Sequence, residues 1–549
     1  MKAALRSRPR IVDLDPRQID DALAQAKTLL PEPEYQVLAT VVEAYRYVLG
    51  QLARKRASLG RLRRMLFGPL TEKTSELLGP AETQGRGLAA GLVPNPGAGK
   101  PRPRGHGRNG AADYPQAMKV AVPHGRLEAG DHCPGCRKGK VYKQAEPGVL
   151  VRIRGQAPVE ATIYELGKLR CNLCGQIYTA RPPEGVGAKK YDETSASMVG
   201  LLKYGSGVPF HRLDRLQDSL GVPLPATTQW EIVSDAARAL EPAYEELVRQ
   251  AAQGKVLHND DTSMKILARM GRRSQGPEDA AGNGGSKAKN GRTGTFTSGI
   301  VSTAQGRRIA LFFTGGRHAG ENLEAVLAKR SSDLARPIQM CDAASRNAPS
   351  GKLKTFLANC LAHGRRKFVE LLENFPAECA HVLRVLRQIY IHDALARRRA
   401  MSPAERLRYH QKKSGPLMQK LREWMRRQFA EKLVEPNSSL GEAIGYMLKH
   451  WAGLTLFLRR PGAPLDNNIV ERALKKAILH RKNALFYKTD NGARVGDLYM
   501  TLIHTCEMNG ADPFDYLTQV QRHAKDVRQR PERWLPWTYP KATPHAGGP

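Results

Sequence analysis

The stretch Lys255-Val256-Leu257-His258-Asn259-Asp260-Asp261-Thr262-Ser263 runs an apolar, strand-like segment straight into two adjacent carboxylates. A Gly/Ser/Lys-rich loop follows, from about 271 to 292. Two strand-like runs come next, Gly294–Val301 and Arg308–Phe313, then helical sequence near Glu321–Lys329, then another buried-type strand, Pro337–Asp342. Alternation and β-branched enrichment mark the strands, and the loop composition marks the breaks.

Strand, strand, strand, helix and strand, with Asp260 and Asp342 at the ends of the first and last, is the order a ribonuclease-H-like sheet requires. In such a sheet neighbouring strands bring the two carboxylates together over a metal pair. Beyond it lies Cys360-Leu361-Ala362-His363-Gly364-Arg365-Arg366-Lys367-Phe368. Cys360 and His363 have metal-like spacing, but no second pair accompanies them, so a zinc site is not expected there. His363 with Arg365, Arg366 and Lys367 fits phosphate contact better. A basic, helix-rich stretch runs from Glu370 to Leu458, and then comes Pro464-Leu465-Asp466-Asn467-Asn468-Ile469-Val470-Glu471-Arg472-Ala473-Leu474-Lys475-Lys476. Asp466 or Asn467 can cap a helix carrying Glu471 one turn inside, with Glu471, Lys475, Ile478 and Lys482 on one face. Taken alone, Glu471 and Lys475 read as an ordinary i,i+4 ion pair.

Upstream, residues 195–250 look helical, and Arg212–Val222 followed by Ala226–Glu231 reads either as a helix-turn-helix or as a helical connector. Before that, Cys133-Pro134-Gly135-Cys136 and Cys171-Asn172-Leu173-Cys174 are two Cys-x-x-Cys pairs, with strand-like Val149–Arg154 and Ala161–Leu166 between them. Two such knuckles on tight turns let Cys133, Cys136, Cys171 and Cys174 meet tetrahedrally around a structural Zn²⁺ at about 2.3 Å. Cys341, Cys360, Cys379 and Cys506 lack paired spacing and read as buried thiols. From about Gly79 to Asp113 a Gly/Pro/Arg-rich composition marks a linker. Within it, Arg102 and Arg104 suit a minor groove, and equally suit a soluble basic tether. Residues 33–66 read as one long helix: Leu38, Tyr45, Leu52, Leu59 and Leu66 recur every seven residues, beside Val41, Val48, Lys55 and Leu62. That a/d pattern predicts a coiled coil, with docking on the chain's own domains as the other reading.

The chain has 549 residues and a formal net charge of +35, with 41% hydrophobic and 25% charged residues. That composition excludes wholesale disorder, and the length implies about three to five domains. No long uncharged apolar run is present, and the basic start Met1–Arg8 has no apolar segment behind it, so neither a membrane span nor a signal peptide is expected. A pI near 10.1 points to a polyanionic partner, nucleic acid above all.

At these motifs the chain resembles the insertion-sequence-sixty-six family of transposases, the large DDE-type proteins of bacterial mobile elements. The most specific pieces are Leu257–Thr262, Cys360–Phe368 and Asp466–Leu474, with Gly510-Ala511-Asp512-Pro513 fitting as well. The resemblance runs from Met65-Leu66-Phe67-Gly68 to Trp534-Leu535-Pro536-Trp537, and Asp261 stands where members more often carry Glu. It implies a catalytic triad of Asp260, Asp342 and Glu471 holding two Mg²⁺ (or Mn²⁺) ions, with Arg472, Lys475, Lys476, Arg481 and Lys482 neutralising phosphates beside the scissile bond. The implied partners are double-stranded DNA (transposon ends and target), a second copy of the chain, and accessory proteins of the same element, in the bacterial cytoplasm at the nucleoid and with no membrane.

The expected fold is multidomain α/β: a ribonuclease-H-like mixed-sheet catalytic core with a helical insertion, an N-terminal coiled-coil helix and a small zinc ribbon. Its expected divisions are a tail (1–32), the coiled-coil helix (33–75), the basic linker (76–118), the zinc ribbon (119–190), a helical segment (191–250), the first core part (251–369), the insertion (370–460), the last core part (461–510) and a C-terminal extension (511–549). Two other functions fit the same residues: a metal-dependent DNA nuclease or resolvase, and a retained, non-catalytic zinc-containing DNA-binding regulator.

Overall fold

The computed structural model describes residues 16–47, 121–122, 126–134, 136–143, 157–170, 172, 174, 177–187, 189–270, 294–304, 306–348 and 355–540. It is an α/β chain built on a mixed, open, five-stranded sheet among many helices. The strands are β3 (Val256–Ser263), β4 (Phe296–Ala304), β5 (Arg307–Gly315), β6 (Ile338–Cys341) and β7 (Phe356–Asn359), in the order β5-β4-β3-β6-β7. Two shorter strands, β1 (Lys168–Arg170) and β2 (Ile177–Thr179), form a separate hairpin. β3, β4 and β5 make an antiparallel meander, whereas β6 runs parallel to β3 and β7 parallel to β6. The tight link from β4 to β5 uses Gly306 at φ +77°, a left-handed conformation that glycine adopts without a Cβ clash. Four of the five strands coincide with the apolar runs of the sequence; β7 was not expected.

Two hydrophobic clusters share this sheet. One gathers Leu257, Ile300, Val301, Leu311 and Phe312 of the meander with residues of α5 (Ala226–Ala252), α6 (Ala319–Leu327), α12 (Asn468–Ala484), α13 (Asp490–Met508) and α14 (Pro513–Arg522). The other joins Met340 and Ala358 of the parallel pair to α7 (Leu361–Leu371), α8 (Pro376–Arg398), α10 (Gly415–Ala430) and α11 (Ser439–Lys449). The helical run between the second and third acidic positions therefore packs on β6 and β7.

The exposed edge of an open sheet carries a row of unpaired N–H groups. Here α13 covers the β5 edge with side chains. Thr505 Oγ1 accepts from Ala310 N at 3.2 Å, Thr501 Oγ1 from Phe312 N at 3.1 Å, and Asp497 Oδ2 from Thr314 N at 2.6 Å. Four residues of helix rise about 6 Å and two residues of strand about 6.8 Å, so an i,i+4 stripe keeps step with alternate strand residues.

Further out, the helical segment contains α3 (Glu193–Gly200), α4 (Phe210–Ser219) and the 27-residue α5, whose Val233, Ala237, Leu240, Leu247 and Ala251 are buried in the first cluster. At the N-terminal end α1 (Pro16–Leu29) is followed by α2 (32–47), tied back by Arg46 to Asp20 at 2.5 Å. On that helix the heptad residues Leu38 and Val41 are exposed; residues 48–66 of the expected coiled coil lie outside the described residues.

The expected strand at Ala161–Leu166 is a correction: this stretch is unpaired, and the described hairpin is β1–β2, which brackets the second Cys pair instead. The alternation at 161–166 was real, but a strand needs a partner edge. Val149–Arg154, Cys171, Arg102 and Arg104 lie outside the described residues. Among the described residues no helix is long and apolar enough to cross a membrane.

Candidate active site

β3 and β6 pair in parallel with Val256 opposite Ile338, Leu257 opposite Gln339 and His258 opposite Met340. Carrying that register two residues further sets Asp260 opposite Asp342, just past the end of β6. Asn347 spans the two: its Nδ2 donates to Asp342 Oδ1 and lies 3.4 Å from Asp260 Oδ1. Backbone N–H groups supply the remaining support, Asp261 N to Asp260 Oδ1 at 2.8 Å and Ala344 N to Asp342 Oδ1 at 3.1 Å. Below the carboxylates lies a buried amide layer. Gln339 Nε2 donates to Asn259 Oδ1 at 3.0 Å and to Asn347 O at 2.7 Å, and Asn259 Nδ2 donates to Asn347 O at 2.8 Å. Burial pushes the Asp260 carboxyl up to about 6; the charges of Asp342 and Asp261 add to the rise, and the Asp261 N–H and His363 oppose it. A carboxyl held near neutrality by burial beside a second carboxylate is a common signature of a working site.

Neighbouring side chains on a strand point to opposite faces, and this decides between the two adjacent aspartates. Asp261 accepts from Ser298 Oγ at 2.7 Å and lies 2.9 Å from His318 Nδ1, with its side chain only 2% exposed. The His318 ring in turn packs on Phe296, centroids 4.3 Å apart. Asp261 is thus committed to partners that fasten α6 to the sheet, and Asp260 is the one that faces Asp342.

Glu471 sits in the first turn of α12. Asn467 occupies the N-cap position there but makes no capping bond. Instead its fully buried side chain donates from Nδ2 to Asn259 O at 3.1 Å and meets His258 Nδ1 at 3.1 Å, while its backbone N–H reaches Cys360 Sγ at 3.2 Å. The first turn is capped by Asp466, whose Oδ1 accepts from Asn468 N at 3.2 Å. Gly299, paired with Asp260 across β3 and β4, lets α12 lie flat on the sheet: a Cβ there would fall 2.9 Å from Leu474 and 3.2 Å from Val470. Glu471 Oε1 lies 3.9 Å from His363 Nδ1, a histidine neighbour where the alternative reading had a Lys475 ion pair. Both atoms are buried without a hydrogen-bond partner.

The basic residues divide. On α12, Arg472, Lys475 and Lys482 are exposed. Lys476 Nζ donates to Gly205 O at 3.1 Å and Glu507 Oε1 at 2.8 Å, and Arg481 Nη1 donates to Thr262 Oγ1 at 3.0 Å and Ser263 O at 2.6 Å. These two fasten the helix to its surroundings. On α7, Arg366 and Lys367 are exposed and Arg365 is half-buried; Lys367 Nζ lies 4.7 Å from the centre of the Tyr446 ring. Tyr446 comes from α11, and its hydroxyl is held up at about 12 by burial, with the Asp342 charge adding to the rise. Sequence reasoning missed Asn347, Gln339 and Tyr446, and read Asn467 only as a candidate helix cap. The one visible signal was Gln339, a polar residue within an apolar strand.

Near the N-terminus, Cys133 and Cys136 sit on a turn closed by Cys133 N to Gly139 O at 2.7 Å, with Gly139 N donating to Cys136 Sγ at 3.5 Å. N–H donors from Gly139 and Lys138, together with Cys133, draw the Cys136 thiol below its usual range. Cys174 lies in the segment between β1 and β2.

A family model described as "Transposase IS66 family" matches residues 190–279 and 285–495. Among curated proteins of Sinorhizobium fredii, the uncharacterized protein y4hP is 27% identical over 517 residues, covering 88% of each chain. The uncharacterized protein y4qI is 26% identical over 367 residues, 63% of this chain and 62% of its own, and y4jD is 32% identical over 188 residues, 33% and 36% respectively.

Proposed function

Because the chain belongs to the IS66 family of transposases, we propose that it cuts DNA at the ends of its own mobile element and joins them to target DNA, with Asp260, Asp342 and Glu471 as the catalytic carboxylates on a ribonuclease-H-like core. The observation that carries this reading is the β3–β6 register, which aligns Asp260 with Asp342 where their carboxylates share Asn347.

The donor set fits Mg²⁺ (or Mn²⁺): carboxylate oxygens, plus the Asn347 Oδ1, buried without a partner, are the hard ligands these ions take. A bound pair of ions supplies activation of the attacking oxygen and stabilisation of the leaving one. The chain's residues do the rest. Asn347 and the Ala344 and Asp261 N–H groups fix the carboxylate rotamers. Arg366, Lys367, Arg472, Lys475 and Lys482 offer exposed charge to phosphates near the site. Water attacks the phosphodiester at the element's end and frees a 3′-hydroxyl, which then attacks a target phosphodiester and displaces the target strand's own 3′-oxygen as a hydroxyl; no covalent protein–DNA bond is needed.

The outer segments complete the proposal. The N–H···S geometry at Cys136 suits a metal-bound thiolate, which supports Cys133, Cys136, Cys171 and Cys174 as a structural Zn²⁺ ribbon. With the basic linker and α4–α5, that ribbon recognises the terminal repeats. The exposed Leu38 and Val41 begin a coiled-coil seam that pairs two copies, as bringing two ends together requires. Accessory proteins of the same element and a nucleoid location in the cytoplasm follow from the same reading.

The test is incubation of the full chain and Mg²⁺ with labelled terminal-repeat DNA, wild type beside Glu471→Gln. Joined products from wild type alone support the reading. Cleavage without joining replaces it with a nuclease, and tight binding with no chemistry, even with the element's other proteins added, replaces it with a regulator.

A further inference from the structure

Cys360, His363 and Glu471 come from two separate parts of the fold, the start of α7 and the first turn of α12, yet the Cys360 sulfur, a ring nitrogen of His363 and a carboxylate oxygen of Glu471 all lie within 4.8 Å of one another. His363 Nδ1 and Glu471 Oε1 are buried without any hydrogen-bond partner. An orphaned buried polar atom is costly to a fold, and two facing each other across 3.9 Å mark a place built for something between them. Their chemistry differs from that of the aspartate pair. Thiolate and imidazole suit a borderline-soft divalent ion, whereas Asp260 and Asp342 offer oxygen alone.

We propose that Cys360, His363 and Glu471 form a three-ligand site for a borderline-soft divalent cation of the Zn²⁺ class, separate from the aspartate pair and sharing only Glu471 with the active site. Zn–N and Zn–O bonds of about 2.0–2.1 Å place tetrahedral N and O ligands roughly 3.3 Å apart, so the His363–Glu471 pair closes from 3.9 Å with a shift of about half an ångström, and the Cys360 sulfur, within 4.8 Å, draws in alongside. Three protein ligands leave the fourth position open to water or a phosphate oxygen. The site itself stands on this geometry. Its consequence rests on the function proposed above: an ion here withdraws Glu471 from Asp260 and Asp342, so Zn²⁺ opposes Mg²⁺-dependent chemistry.

Co²⁺ reports the site directly, because thiolate ligation gives it sulfur-to-metal charge-transfer absorption and tetrahedral geometry gives intense visible bands. The full chain is stripped of metal and titrated with Co²⁺, wild type beside Cys360→Ser, His363→Ala and Glu471→Gln. The Cys133/Cys136/Cys171/Cys174 pairs contribute equally to all four proteins, so the difference in stoichiometry is the readout. The expected result is one Co²⁺ fewer per chain in each variant. An unchanged count in all three overturns the site, and a loss confined to His363→Ala and Glu471→Gln overturns thiolate ligation. Should Cys360→Ser fail to fold by circular dichroism, His363→Ala, at a half-exposed position, decides the matter. A falling Co²⁺ count in a chain that joins no DNA keeps the site and discards the transposition reading.

Discussion

Gly299→Ala tests how the sheet holds Glu471 in place. The new Cβ would meet Leu474 Cγ and Cδ2 at 2.9 Å and Val470 Cγ2 at 3.2 Å. Carbon–carbon contacts are comfortable at about 3.5–4.0 Å, so the helix side must retreat by about 0.6–1 Å. Val470 and Leu474 are one turn apart on α12 and both buried, so rotating one side chain does not relieve both contacts and the helix itself must lift. Overpacking of this kind costs about 1–3 kcal/mol, a modest loss for a core this large. With Glu471 as a proposed catalytic carboxylate the effect on rate is larger, because a misplacement of about 1 Å costs on the order of 100-fold. The assay is single-turnover strand transfer with Mg²⁺, beside a thermal melt and a DNA-binding isotherm. A rate down about 10- to 100-fold with binding intact is expected, and Gly299→Ala/Leu474→Ala, which removes the nearer clash, should recover part of it. A wild-type rate from Gly299→Ala, with its melt unchanged, would show that α12 packing does not set the position of Glu471.

Three further outcomes follow from the same structure. With Asp260 protonated below about pH 6, Mg²⁺ must displace a proton to bind, so affinity measured calorimetrically should fall about tenfold per unit below that pH and level off above it; a flat profile from pH 5 to 8 would remove Asp260 from the metal. Burial raises the Asp497 carboxyl to about 7, against the two Thr314 donors. The folded state therefore holds a proton that the unfolded state releases near 4, and this contribution is complete below about pH 4 and lost as pH rises through 7. Asp497→Asn should flatten that slope and gain stability relative to wild type at pH 8, and a parallel pH dependence in the two melts would contradict the assignment. Cys133→Ser should release zinc and weaken binding to terminal-repeat DNA; unchanged zinc content by mass spectrometry would eliminate the ribbon.

Much of the sheet was legible because Val256-Leu257 and Ile338–Cys341 lead straight into Asp260 and Asp342, while Ile300-Val301 and Ile309–Phe313 are plain apolar runs between loop-like stretches. β7 was not, since Phe356-Leu357-Ala358-Asn359 is too short to show a period and gains its strand conformation by pairing with β6. Asp260 and Asp342 stood out as carboxylates ending buried strands, while Asn347 was silent and Asn467 read only as a helix cap, because the contacts to Asp260 and Asn259 that define their places reach about 90 and 200 positions along the chain. The stripe Asp497, Thr501, Thr505 is visible as polar residues at four-residue spacing on a helix buried along its length, but nothing in the sequence says that its partner is a strand edge. Cys360 and His363 looked incomplete in sequence because the third residue of their cluster lies on a helix more than a hundred positions away.

The most direct measurement is strand transfer by four isosteric variants side by side: Asp260→Asn, Asp342→Asn, Glu471→Gln and Asp261→Asn. The first three remove a charge from the proposed metal-binding carboxylates and should each abolish joining while DNA binding persists. Asp261 lies on the opposite face, held by Ser298 and His318, so Asp261→Asn should lower the melting temperature while the folded protein still joins DNA. Activity lost in Asp261→Asn and kept in Asp260→Asn would contradict the account at its centre.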